Sequence, residues 1–262
     1  MFEELLEDIA QKNGLREVNT YLKITAGFGS IFLCLLSSSF IPPLIIALAL
    51  SGAILFLARV DAKTYAELFI VPIWFAVMSV AGIILISGGQ DIFWKWDVLP
   101  QFSLSVTRQS LNQGIFVFCR VIGGMSALCF IALTTPMTDI FIVFRKCRVP
   151  EIVIDLMMII YRTIFILMDQ VVQIYNAQVM RLGYSTVKES IHSCASLCGA
   201  AFIASWNAGE DLIMAMDARC YSGKFALLGE NRPVELKPLI ALAVFLSFVT
   251  AIVILSGNST II

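Results

Sequence analysis

The chain has little charge for its length. Asp, Glu, Lys and Arg make up 14% of its 262 residues, and 59% of the residues are hydrophobic. A soluble domain usually carries about 25% charged residues and fewer apolar ones. The formal net charge is −1, so the sequence has no basic excess to attract nucleic-acid phosphates. This composition excludes nucleic acid as a partner and favours the lipid bilayer.

Recognisable catalytic motifs are also absent from the sequence. No Gly-x4-Gly-Lys-Ser/Thr segment occurs, so the chain cannot bind ATP as P-loop proteins do. The single histidine, His192, has no evident nucleophile partner. It also lies off the helix face shared by Cys194 and Cys198, which favours packing over a metal site. We expect no catalytic residue, no bound metal and no cofactor, and therefore a protein that is not an enzyme.

Long apolar runs are what the sequence has instead. A helix needs about 20 apolar residues to cross a bilayer, and in lipid a helix satisfies its own backbone polar groups. Five runs qualify, and Pro42-Pro43 predicts a tight outer turn between the first two. The predicted spans are residues 22–40, 41–58, 66–88, 112–134 and 236–256.

Lysine and arginine are distributed unevenly around these spans. Fifteen of the 18 basic residues lie in segments that would share one side of the membrane, and only Lys95 and Arg108 lie on the other. Because basic residues are enriched in cytoplasmic loops, the bias predicts a cytoplasmic N-terminus and an outer C-terminus in the cell (inner) membrane. The eighteenth, Arg120, lies inside the fourth span. It could line an inter-subunit contact, or it could pair with a backbone carbonyl.

The stretch between the fourth and fifth spans has periodic rather than continuous apolar residues. From residue 151 its polar side chains share a narrow helical stripe, which suits a helix lying on the cytoplasmic membrane surface or against partner helices. The alternative is a sixth span over 151–175, but each charge would cost about 2.5–3.5 kcal/mol at mid-membrane. A second such helix is predicted over about 186–220. The stripe consists of Glu151, Asp155, Arg162, Asp169, Gln173 and Asn176.

Two similar motifs follow these two helices. Each has an arginine at the helix C-terminus and then a glycine able to adopt the left-handed ending conformation, as Arg181 with Gly183 and Arg219 with Gly223. An arginine there could simply complement the helix dipole. The repetition favours paired docking tips, because a guanidinium forms bidentate pairs with a partner carboxylate.

At these residues the sequence resembles the T component, the energy-coupling transmembrane protein, of ECF-type ABC transporters, and in particular its cobalt branch, the CbiQ family. The two Ala-Arg-Gly-type motifs of that family correspond to the region around Arg181 and to Ala218-Arg219-Cys220, where Cys220 replaces the usual glycine. The resemblance extends over nearly the whole chain. Further matching segments are Thr134-Thr135-Pro136-Met137, Arg148-Val149-Pro150 and Tyr161-Arg162-Thr163-Ile164-Phe165.

The resemblance implies a division of labour between subunits. Two cytoplasmic ABC-type ATPase subunits would receive the arginine-tipped coupling helices. A separate metal-binding membrane subunit would capture the cobalt ion, and ATPase motion would tilt it in the membrane. Arg120 and Arg162 are candidates for inter-subunit contacts. The candidate ATPase-docking residues are Arg181, Gly183, Ala218, Arg219 and Gly223.

The predicted fold class is an all-α integral membrane protein with about five transmembrane helices and a cytoplasmic insertion of long amphipathic coupling helices before the last span. The predicted domains are a transmembrane bundle at 1–136, a cytoplasmic coupling-helix domain at 137–235 and a final transmembrane helix at 236–262. Alternatives are the same role for nickel or a vitamin, a stand-alone membrane transporter, and a membrane enzyme. A transporter acting alone would be expected to show an internal repeat or several mid-span ionisable residues, and the sequence shows neither beyond Arg120.

Overall fold

Helices account for most of the chain. The computed structural model describes residue 7 and residues 9–86, 92–99, 102–221 and 235–257. A π-helical turn, Ala53–Leu57, extends α2. The two strands are β1 (Ile92–Leu99) and β2 (Phe102–Thr107). The helices are α1 (Thr20–Leu36), α2 (Ile41–Gly52), α3 (Ala62–Ile86), α4 (Arg108–Thr134), α5 (Met137–Lys146), α6 (Glu151–Met180), α7 (Val187–Ala218) and α8 (Leu236–Ser256).

The membrane helices follow the apolar runs of the sequence. Three helices of the described chain are long and apolar enough to cross a membrane, at Ala62–Ile84, Arg108–Thr134 and Leu236–Ser256. Two shorter apolar helices, at Thr20–Leu36 and Ile41–Leu57, coincide with the first two predicted spans. Helix α6 is not among these five, so the structure gives no support to a sixth span there. The predicted all-α membrane architecture is confirmed.

The segment between the third and fourth predicted spans contains a β-hairpin. Strands β1 and β2 pair antiparallel, with Lys95 opposite Ser105 and Trp96 opposite Leu104. The sequence predicts only a loop here, so the hairpin is an addition to the expected fold.

The turn between α1 and α2 directly precedes Pro42 and Pro43. Helix α1 ends at Leu36, and the Ser37 amide donates to the Leu33 carbonyl at 3.1 Å. Pro42 and Pro43 then lie in the first turn of α2, where a missing amide hydrogen breaks no helical hydrogen bond. Residues 37–40 form the turn between the first two predicted spans, and the prolines begin the next helix.

Helix α4 is the central element of the membrane bundle and packs against α1, α2 and α3. Gly123 makes the closest approach, since a Cβ atom there would lie 2.8 Å from the Pro43 carbonyl oxygen and 2.9 Å from the Cys34 sulfur. The largest fully buried side chains of this core are Ile46, Ile54, Leu133 and Val249. The membrane helices therefore pack on one another around α4.

The chain forms two compact units. One combines Met1–Ile140 with Glu230–Ile262 and contains the membrane helices, and the other is Phe141–Gly229. In the second unit α6 packs against α7, and the Phe141 and Tyr161 rings meet edge to face 5.9 Å apart. The assignment of residues 137–235 to a cytoplasmic coupling domain stays a prediction.

Candidate functional site

The first arginine tip closes α6 in a Schellman motif. Arg181 caps the helix, the Leu182 amide donates to the Val179 carbonyl at 3.0 Å, and the Gly183 amide donates to the Gln178 carbonyl at 2.9 Å. Leu182 adopts the left-handed conformation, with φ +58°. The expectation that Gly183 would adopt it is wrong, because the residue that follows the arginine directly occupies that position.

The second tip repeats this geometry at the end of α7. Arg219 caps the helix, the Cys220 amide donates to the Asp217 carbonyl at 3.0 Å, and the Tyr221 amide donates to the Met216 carbonyl at 3.1 Å. Cys220 has φ +53°. The two arginines are thus followed by the same backbone turn, although the residues that form it differ.

The left-handed residue accounts for the glycine that the resemblance places after the arginine. Glycine adopts positive φ freely, whereas an L side chain there costs about 1–2 kcal/mol. Cys220 occupies the glycine position of the second motif and keeps its backbone conformation. Ala218 is the last residue of α7, and Gly223 lies outside the described residues. Sequence reasoning missed Leu182, and the signal that could have found it is the alignment of Met180-Arg181-Leu182 with the second motif.

Side chains of α6 and α7 hold the first tip in place. The Gln178 amide nitrogen donates to the Ser193 carbonyl at 3.1 Å and the Tyr184 hydroxyl donates to the Gln178 side-chain oxygen at 2.9 Å. The Ser193 hydroxyl donates to the Gly183 carbonyl at 2.8 Å. A Cβ atom at Gly183 would lie 2.7 Å from the Ser193 Oγ atom. A side chain at position 183 would therefore displace the Ser193 hydroxyl, whereas the backbone conformation of Gly183 does not call for glycine.

The two tips lie at opposite ends of a helical hairpin. Helix α6 has 30 residues and is therefore about 45 Å long. Arg181 lies at the turn that joins α6 to α7, whereas Arg219 follows the far end of α7. Tyr221 lies within electrostatic reach of Asp155, in the second turn of α6; partial desolvation, and then the Asp155 carboxylate, raise the pKa of Tyr221. The tips are thus about a helix length apart.

The turn between the helices ends in an N-cap. The Thr186 hydroxyl accepts a hydrogen bond from the Glu189 amide at 3.3 Å. The Ser185 hydroxyl donates to the Glu189 carboxylate, and this bond, followed by one from Thr186, lowers the pKa of Glu189. The start of α7 is therefore fixed immediately beside the first tip.

The surface of the hairpin is unusually apolar. Helix α7 has no buried residue, and Phe202 and Trp206 are 67% and 62% exposed. The Trp206 indole donates to the Glu210 carboxylate at 2.9 Å. Contiguous exposed apolar surface of this kind marks a contact with a partner or a membrane. His192, Cys194 and Cys198 are exposed on the same helix, and no group of three metal-ligating side chains occurs within the described residues.

The two candidate inter-subunit arginines differ in their surroundings. The Arg120 guanidinium donates to the Leu35 carbonyl at 3.2 Å and the Ser37 carbonyl at 2.6 Å, and it lies 4.4 Å from the Phe116 ring centre. These contacts are the backbone pairing that the sequence left open as one alternative. Arg162 is exposed on α6. An inter-subunit role stays a prediction for both.

Comparison with known proteins identifies the family of the chain. A model of the cobalt transport protein family CbiQ matches residues 11–228. The chain belongs to this family. It is 38% identical over 93% of its length to a putative fused cobalt transport protein, CbiMQ, of Methanocorpusculum labreanum, and it covers 40% of that longer protein. It is 33% identical over its whole length to an uncharacterised protein of Methanocaldococcus jannaschii, 97% of which is covered.

More distant relatives of this CbiQ-family chain carry related names. It is 27% identical over 68% of each chain to the energy-coupling factor transporter transmembrane protein EcfT of Limosilactobacillus fermentum. The predicted resemblance to the energy-coupling transmembrane proteins is confirmed. The chain is thus a multi-pass transmembrane component of a cobalt-related energy-coupling transporter, and its named relatives are transporter components.

Proposed function

We propose that this CbiQ-family chain couples two cytoplasmic ATPase subunits to a metal-binding membrane subunit that captures cobalt ions for import. The observation that supports this role is the pair of matching arginine tips at opposite ends of the α6–α7 hairpin. Two equivalent tips about 45 Å apart suit two equivalent partners better than one.

The tips have the chemistry that a docking contact requires. Arg181 and Arg219 are exposed, and each follows the last helical residue, so that both guanidinium groups can reach a partner carboxylate. An Arg–carboxylate pair is bidentate and therefore fixes orientation as well as distance. The Schellman turns hold the arginine backbones in the same conformation at both ends. A force applied at either tip would be carried along a rigid helix.

The exposed apolar residues of the hairpin would form the interface with the membrane subunit. Side chains such as Phe202 and Trp206 would contact the membrane subunit that captures the ion. The orientation of the proposal follows the distribution of basic residues, with the N-terminus and the hairpin in the cytoplasm and the C-terminus outside. ATP hydrolysis belongs to the partners, since the chain has no P-loop.

Transport by the assembled complex tests the proposal. The double variant Arg181→Ala with Arg219→Ala should lose cobalt uptake while the chain still inserts into the membrane. Lys188→Ala is the matched control, because Lys188 is an exposed basic residue in the first turn of α7. Wild-type uptake by the double variant would contradict the docking role. Uptake of nickel in place of cobalt would leave the role intact and change only the cargo.

A further inference from the structure

Helix α5 is shared between the two compact units of the chain. The boundary between the units falls between Ile140 and Phe141, so this helix begins in the membrane unit and ends in the unit that contains the α6–α7 hairpin. Within the described residues, no other helix contributes to both units. Helix α5 is therefore the described backbone connection along which a displacement of the hairpin can reach the membrane helices.

Hydrogen bonds within the membrane unit hold the start of α5. The Thr134 carbonyl, just before the helix, accepts from the Asn13 side-chain amide at 3.1 Å and from the Lys23 ammonium at 2.9 Å. The Thr20 hydroxyl donates to the Asp139 carboxylate at 3.3 Å. Thr20 is the first residue of α1, and Asp139 is in the first turn of α5. The start of α5 is thus linked directly to the start of a membrane helix.

Aromatic contacts within the other unit hold the second half of α5. Phe141 is only 2% exposed, and its ring meets the Tyr161 ring edge to face at 5.9 Å. The Tyr161 ring in turn meets the Phe165 ring edge to face at 5.2 Å. Such pairs stabilise a contact beyond the apolar area that they bury. Three rings therefore join α5 to α6, the helix that ends at the Arg181 tip.

The turn between α5 and α6 is closed by hydrogen bonds as well. Arg148 is left-handed, with φ +62°, and the Val149 amide donates to the Phe144 carbonyl at 3.3 Å. This is the Schellman geometry that ends α6 and α7. The Arg145 guanidinium also lies 3.6 Å from the Glu151 carboxylate, across the turn. The direction in which α6 leaves α5 is therefore set by the backbone of the turn.

We propose that α5 transmits the movement of the hairpin to the membrane helices, with Asp139 and Phe141 as the positioning residues in its two halves. Coupling between distant sites is carried by hydrogen bonds, packed side chains and rigid secondary elements, and α5 combines all three. The inference rests on the proposed coupling function and adds the point at which force would enter the membrane unit, the start of α1. Three segments that the docking tips do not use begin, follow or pack against this helix, namely Thr134-Thr135-Pro136-Met137, Arg148-Val149-Pro150 and Tyr161-Arg162-Thr163-Ile164-Phe165.

The amount of Co²⁺ transported per ATP hydrolysed tests this proposal, measured on the assembled complex in lipid vesicles. Asp139→Ala should lower this ratio about threefold or more, while the ATPase subunits stay bound and continue to hydrolyse ATP. Asp139→Asn should restore the ratio, because its side-chain oxygen can still accept the hydrogen bond from Thr20 although the charge is removed in both variants. Thr138→Ala is the matched control, since Thr138 is exposed in the same turn of α5.

Thr20→Val tests the same contact from the other side, because it removes the hydroxyl and keeps the shape of the side chain. It should lower the ratio as Asp139→Ala does, and Thr20→Ser should restore it. An unchanged ratio in both Thr20→Val and Asp139→Ala would overturn the proposal. Loss of the ATPase subunits from these variants would also overturn it, since α5 would then act in assembly. Failure of the coupling function itself is distinguished by the variant Arg181→Ala with Arg219→Ala, which would then retain cobalt uptake whatever the substitutions at α5 do.

Discussion

Helices α4 and α7 are of similar length but differ in how they are stabilised. Nine residues of α4 are buried, among them Phe130 and Leu133, whereas none of the 32 residues of α7 is. Helical propensity alone gives little stability, and most helical stability in proteins comes from packing of an apolar face. The other membrane helices of the bundle pack against α4. Within the described residues α7 packs mainly against α6, and its apolar side chains stay exposed.

The largest loss of stability in the membrane bundle is expected when Gly123 is replaced by a larger residue. A valine there would place its Cβ against the Pro43 carbonyl and the Cys34 sulfur. We expect Gly123→Val to destabilise the chain by about 3 kcal/mol, measured as thermal unfolding in detergent. Gly124→Val is the control, because nothing lies within 4 Å of a Cβ atom at Gly124. Equal effects of the two substitutions would contradict the packing around α4.

A smaller loss of stability is expected from a substitution of Asn13, which links the N-terminal segment to the end of α4 by hydrogen bonds. Its side-chain amide donates to the carbonyls of Ala10 at 2.7 Å, Leu133 at 3.2 Å and Thr134 at 3.1 Å. Asn13→Ala would leave buried carbonyls without this donor, and it should cost about 2 kcal/mol in the same unfolding measurement. Gln11→Ala, which alters an exposed side chain nearby, should change the stability little.

The membrane helices could be predicted from the sequence because their signal is an uninterrupted apolar run. The predicted span 236–256 has the bounds of α8, and the other four overlap their helices with small shifts at the ends. Helices α6 and α7 could also be predicted, because the period of their polar residues indicates a helix. Such features depend on local composition alone.

Other features depend on contacts between distant residues and could not be predicted. Arg120 pairs with carbonyls at the end of α1, more than 80 positions earlier in the chain. The close contact at Gly183 comes from the Ser193 side chain on the next helix. The left-handed residue at Leu182 was missed for another reason, because the next glycine is the usual signal for that conformation.

The next largest effects on stability are expected at the first tip of the hairpin, where α6 ends. Leu182→Gly should relieve left-handed strain and stabilise the end of α6 by about 1 kcal/mol. Gly183→Ala should do the opposite, because its Cβ would press on Ser193. Hydrogen exchange of the amides around residues 178–183 measures both effects. Slower exchange in Gly183→Ala than in Leu182→Gly would contradict this assignment of the two positions.

The smallest expected effect depends on pH. The hydrogen bonds from Ser185 and Thr186 lower the pKa of Glu189, so their stabilisation is present above the ordinary glutamate pKa of about 4.3. It is lost as the pH falls through the lower value of the folded state. Ser185→Ala should therefore destabilise the start of α7 slightly at pH 7. The difference from wild type should vanish once the pH has fallen through the lowered pKa of Glu189. A difference that persists unchanged at low pH would contradict this role of Ser185.

The proposal that the two ends of the hairpin dock on ATPase subunits is tested most directly by photo-crosslinking. A crosslinking residue would replace Leu182 at one tip, Tyr221 at the other, and Phe56, 80% exposed on the membrane bundle, as a control. In the assembled complex, we predict that positions 182 and 221 each capture an ATPase subunit and that position 56 does not. If both tips captured only lipid or a membrane subunit while the ATPases remained bound, the coupling role of Arg181 and Arg219 would be contradicted.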